Sequence, residues 1–150
     1  MKEEIKPRLI KHITFLENEL KDYGTFKPLS WEEYNKERDK RRNVERWAEN
    51  IVNSSIDIAK IILSSENLSL KDTYKETVIS LSLVSGFDKK DINAVSEWVR
   101  LRNIIVHEYL DIRWASIKKF INETESLYTR FLKEVKEYLN KQMEIDSKEE

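Results

Sequence analysis

Within the run WVRLRNIIVHEY, Trp98 to Tyr109, stand four side chains able to do chemistry: Arg102, Asn103, His107 and Tyr109. A histidine, with a reference pKa of about 6.5, can accept or give a proton near neutral pH. An arginine supplies a fixed charge and a fork that matches phosphate oxygens at two points. The pairing suits RNA cleavage. RNA carries its own nucleophile, the 2′-hydroxyl, so a proton acceptor and donor plus cationic stabilisation of the phosphorane-like transition state are sufficient without a metal. The same spacing also suits a helix-end cap and a salt bridge, so the surroundings of Arg102 must decide.

On a wheel with about 100° per residue, Ile92, Ala94, Val95, Trp98, Val99, Leu101, Ile105 and Val106 fill roughly half the circumference. Such a helix is expected to be covered on two sides, by its own bundle and by a second chain. Arg102 sits in the middle of that apolar arc, with Tyr109 beside it if the helix continues so far. A guanidinium there must be ion-paired, hydrogen-bonded or facing a polar cleft. Asn103 and His107, four apart, share a face. Arg102 and His107, five apart, are separated by about 140° on a regular helix. One copy therefore closes around a phosphate only if the helix ends between them; a dimer would bring two motifs together.

Periodicity predicts the elements that hold this run. A first helix is expected from about Lys2 to Tyr23 on Ile5, Leu9, Ile13, Leu16 and Leu20, ended by Gly24. Ser30 with Glu33 forms a capping box for a second helix reaching about Ser64. Its stripe is Val44, Trp47, Ala48, Ile51, Ile58, Ala59 and Ile62. The charged stretch from Lys36 to Arg46 reads as a solvated face or as an RNA or partner surface. Thr73 to Ser85 alternates like a strand at Ile79 to Leu83, yet reads as a helix between Asp72 and Gly86, since no other strand is available to pair with it. Asp88 caps a fourth helix running to His107 or Tyr109. A fifth spans Asp111 to Met143, and the polar tail 144–150 is expected to fray. His12 reads as a boundary residue. Trp47 and Trp98 read as core; Trp31 and Trp114 stay open between core, interface and base stacking.

The 150 residues include only two Gly and two Pro, and 37% are charged. That composition predicts an all-α, up-and-down antiparallel bundle of four to five helices, a single domain over 1–150. The absence of Cys excludes a disulfide framework and thiolate chemistry and suits a cytoplasmic setting. Met1-Lys2-Glu3-Glu4 opens a charged segment rather than a signal peptide, and no membrane span is expected. A net charge of −1 means that RNA contact must come from local clusters.

Arg102 to Tyr109, RNIIVHEY, resembles the RX4HXY motif of HEPN domains in the form found in HepT-like toxins. Trp98 to Tyr109 is similar to that family's LRNxLVHxY block, and Val44 to Leu63, VERWAENIVNSSIDIAKIIL, to its second conserved helix. The resemblance covers about residues 40 to 140. It implies a HEPN-like bundle, a homodimer with a composite cleft, endoribonuclease activity needing no metal or cofactor, and a minimal nucleotidyltransferase antitoxin as partner. Arg102 and His107 become the catalytic pair, Asn103 a polar orienting residue, and Tyr109 the hydroxyl that is adenylylated to silence the toxin. A non-catalytic HEPN adaptor binding a nucleotidyltransferase or nucleotide is the alternative. The charged Glu32 to Asn43 segment departs from the family's pattern.

Overall fold

The computed structural model describes residues 3–149. Among them the chain forms nine α-helices and no strand: α1 Ile5–Leu20, α2 Tyr23–Phe26, α3 Trp31–Lys36, α4 Arg38–Ser65, α5 Tyr74–Ile79, α6 Lys89–Glu97, α7 Val99–His107, α8 Trp114–Glu123 and α9 Glu125–Glu149. Short 3₁₀ turns follow α5 (Ser80–Leu83) and α7 (Tyr109–Asp111). All five expected helical segments are present, but most are broken where a side chain demands it.

The first segment ends at Leu20, before Gly24, which lies inside α2. The chain turns early because Tyr23 is drawn into the core, where its hydroxyl shares a 2.6 Å hydrogen bond with Thr124 Oγ1. The expected start at Lys2 lies outside the described residues. The Ser30–Glu33 capping box forms as the sequence predicts. The helix it starts does not continue, because Glu37 is extended (φ −104°, ψ 99°) and α4 begins afresh. This kink lets Tyr34 bury its ring and donate to Glu45, while Lys40 pairs with Glu33 and Glu37.

Thr73, not Asp72, caps α5, accepting from Glu76 N–H at 3.1 Å. The alternating Ile79–Leu83 stretch becomes the 3₁₀ turn, Leu81 buried and Leu83 exposed. Asp88 caps α6 through Asp91 N–H at 2.9 Å. The fourth segment breaks at Trp98, whose half-buried ring meets Phe120 edge-on at 5.3 Å. The fifth starts at Trp114 and breaks at Thr124, a buried residue whose hydroxyl also bonds Phe120 C=O at 2.6 Å. A hydroxyl that bonds the preceding turn competes with the helix ladder. The polar tail is helical as far as Glu149, where α9 ends, and Asp146 pairs with Lys6 at 3.1 Å. Glu150 lies outside the described residues.

α1 runs antiparallel to α4, since Trp47 Nε1 donates to Glu19 C=O at 2.8 Å, and to α9, since Glu17 pairs with Lys136 and Lys6 with Asp146. α4 carries the bundle, packing against α1, α3, α5, α7 and α8. One contiguous core joins these helices, with Trp47 packed among Tyr23, Phe26 and Phe120. Burying each such side chain stabilises the fold by about 1.5–3 kcal/mol. No helix among the described residues is long and apolar enough to cross a membrane.

Candidate functional site

α7 turns Val99, Leu101 and Ile105 into the core and leaves Asn103 and His107 exposed. Arg102 stands between these faces, half-buried. Of the three ways to accommodate it, the structure uses hydrogen bonds. Its Nε donates to Asn53 Oδ1 on α4 at 2.8 Å, and its Nη1 donates to Asn103 Oδ1 at 3.0 Å. The guanidinium carbon lies 5.1 Å from the centre of the Tyr74 ring. No carboxylate reaches Arg102 as an ion-pair partner among the described residues. Neutral acceptors and a ring fix the fork without cancelling its charge, so the rest of it can meet an anion.

Tyr74 holds a second cation, Lys60 Nζ, at 4.5 Å from its ring centre. Arg102 and Lys60 thus form a local basic cluster that the net charge conceals. Asn53, Lys60 and Tyr74 were invisible in the sequence because their partners lie far away along the chain. Asn53 falls inside the Val44–Leu63 helix, but nothing local distinguishes it from the neighbouring Asn50.

α7 runs unbroken from Arg102 to His107, so the separation of about 140° stands. His107 is its last residue. Glu108 leaves the helix at φ −131°, ψ 47°, so Tyr109 does not fall beside Arg102 by helical register. It opens the 3₁₀ turn instead, 67% exposed, next to Leu110 at 86%. The structure therefore brings Arg102, Asn103, Asn53 and Tyr74 together and leaves His107 and Tyr109 exposed at the end of α7. Among the described residues no His, Asp and Glu cluster is arranged to hold a metal.

Beside Asn53 a cleft of about 460 Å³ opens between α1 and α4. Lys11, His12 and Phe15 form one wall, Asn50, Asn53, Ser54 and Asp57 the other. His12, expected only at a boundary, is half-buried and faces this space. At its end Asn50 Nδ2 donates to Glu19 at 3.3 Å, and burial pushes the Glu19 carboxyl above the usual range while the Asn50 amide opposes it.

The arrangement is an all-helical bundle with a half-buried cation on its second-last long segment, and solved structures share the fold. The chain superposes on the Bacillus subtilis cytosolic protein YutE, of unknown function, with a TM-score of 0.77 at 14% identity, covering 91% of each chain. On the tri-AMPylated HEPN toxin of Shewanella oneidensis, solved in complex with its MNT antitoxin, the TM-score is 0.76 at 17% identity, covering 91% of this chain and 98% of that one. A toxin–antitoxin structure with AMP-PNP gives 0.73 at 15% identity, over 90% and 99%. No curated protein matches in sequence. Residues 11–135 match the model of the ribonuclease HepT-like family, and the chain belongs to that family.

Proposed function

We propose that the chain is the toxin of a toxin–antitoxin pair, an endoribonuclease that acts as a homodimer and needs no metal. The observation that carries this reading is the Arg102 fork, held by Asn53, Asn103 and Tyr74 with no carboxylate partner among the described residues. Arg102 of one copy takes a non-bridging phosphate oxygen of RNA. His107 of the second copy accepts the 2′-hydroxyl proton as that oxygen attacks phosphorus. The P–O5′ bond breaks, a protonated group completes the leaving 5′-hydroxyl, and a 2′,3′-cyclic phosphate remains. Asn103 orients the fork.

The partner in this reading is a minimal nucleotidyltransferase antitoxin. The Shewanella toxin is described as AMPylated and bound to MNT, and Tyr109, exposed beyond the end of α7, offers the accessible phenol such a partner needs. Its oxygen attacks the α-phosphorus of ATP, pyrophosphate leaves, and the phenolic proton is lost. The added phosphate brings negative charge to a site built for an anion.

The near-neutral charge favours a second reading, a non-catalytic adaptor for a nucleotidyltransferase or nucleotide. RNA incubated with the purified chain in EDTA separates the two. Cleavage with cyclic-phosphate ends is expected, abolished by Arg102→Ala and by His107→Ala with helicity and dimer intact. Intact RNA, or undiminished cleavage by either variant, would leave the adaptor.

A further inference from the structure

From the cleft between α1 and α4 we infer a nucleobase subsite that selects guanine next to the cleaved phosphate, an inference that rests on the RNA-cleaving reading. Asn53 links the two places: its Oδ1 holds Arg102, and its side chain also lines the cleft. A nucleotide with its phosphate on Arg102 therefore has this space within reach of its base.

The lining fits a base better than a second phosphate. Lys11 and Asp57 are opposite in charge, so the fixed charges of the two walls offset one another. Phe15, 43% exposed, offers a ring face for stacking, which serves any base. Ser54 is only 2% exposed, and among the described residues its hydroxyl has no hydrogen-bond partner. The Ser54 oxygen is itself closed to solvent, so a base in the cleft meets the half-buried Asp57 instead. Asp57 makes no ion pair or hydrogen bond among the described residues, although it faces the same space. A carboxylate accepts hydrogen bonds at both oxygens, and guanine alone presents two adjacent donors, N1–H and the 2-amino group. Adenine, cytosine and uracil each place an acceptor beside their donor, which a carboxylate repels.

The test uses non-cleavable 2′-O-methyl heptamers, U7, U3AU3 and U3GU3, with binding to the full chain read by fluorescence anisotropy. U3GU3 is expected to bind about tenfold more tightly than the other two. Phe15→Ala weakens all three by about fivefold or more, and Asp57→Asn erases the guanine preference; light scattering shows the same oligomeric state throughout. Equal affinity for the three heptamers, or unaltered binding by Phe15→Ala, would overturn the subsite. So would a loss of the dimer in these variants, which would make the cleft an interface between copies. The unmethylated heptamers keep the two readings apart. Guanine-selective binding without cleavage removes the nuclease and keeps the subsite, whereas cleavage without base preference removes only the subsite.

Discussion

Arg102 is set by what it lacks as much as by what it touches. Two amide oxygens and a ring fix the guanidinium, and an ion pair that would consume its charge is absent among the described residues. A lysine at this position keeps the charge and loses the fork, so it cannot hold Asn53 and Asn103 while also contacting phosphate at two points. Arg102→Lys is therefore expected to lower kcat/KM for RNA cleavage on the order of 100-fold, with helicity unchanged; activity within a factor of a few of the parent chain would mean that charge alone suffices. At this scale the sequence revealed the cation and hid its setting. The wheel marks Arg102 because an apolar arc surrounds it, but Asn53 and Tyr74 meet it only through the packing of α4 and α5 on α7, which no local pattern encodes.

Helices follow their caps, and they break where tertiary contacts outweigh propensity. Ser30, Asp88 and the apolar stripes of α1, α4 and α9 were legible, since capping and periodicity are local properties. The breaks at Glu37, Trp98 and Thr124 were not. Each serves a distant partner: Tyr34 against Glu45, Trp98 against Phe120, Thr124 against Tyr23. The charged segment that departs from the family's pattern is where α3 folds back on α4, and part of its charge is paired, Lys40 with Glu33 and Glu37 and Arg41 with Glu45. The Ser30 cap anchors that fold-back. Ser30→Ala is expected to cost about 1 kcal/mol in urea unfolding, whereas Ser30→Thr, whose hydroxyl can still accept from Glu33 N–H and donate to the Glu33 carboxylate, should cost less; equal losses would show that the cap's hydrogen bonds are not what stabilises α3.

Two copies are needed at the scale of the whole molecule if Arg102 and His107 act on one phosphate. They lie about 140° apart on an unbroken α7, and no end of that helix intervenes to swing one toward the other. A composite site pairs Arg102 of one copy with His107 of the other. Mixing the two inactive variants tests this directly. In a heterodimer of Arg102→Ala with His107→Ala, one site loses both groups and the other keeps both, so activity returns in a mixture of two dead proteins. Random exchange makes about half the dimers mixed, each with one working site of two, which sets the recovery at about a quarter of the parent activity. Subunit exchange is confirmed first, by mass spectrometry of differently tagged chains. No recovery after proven exchange would mean either that both groups act within one chain, against the helix geometry, or that each phosphate requires both copies of both residues.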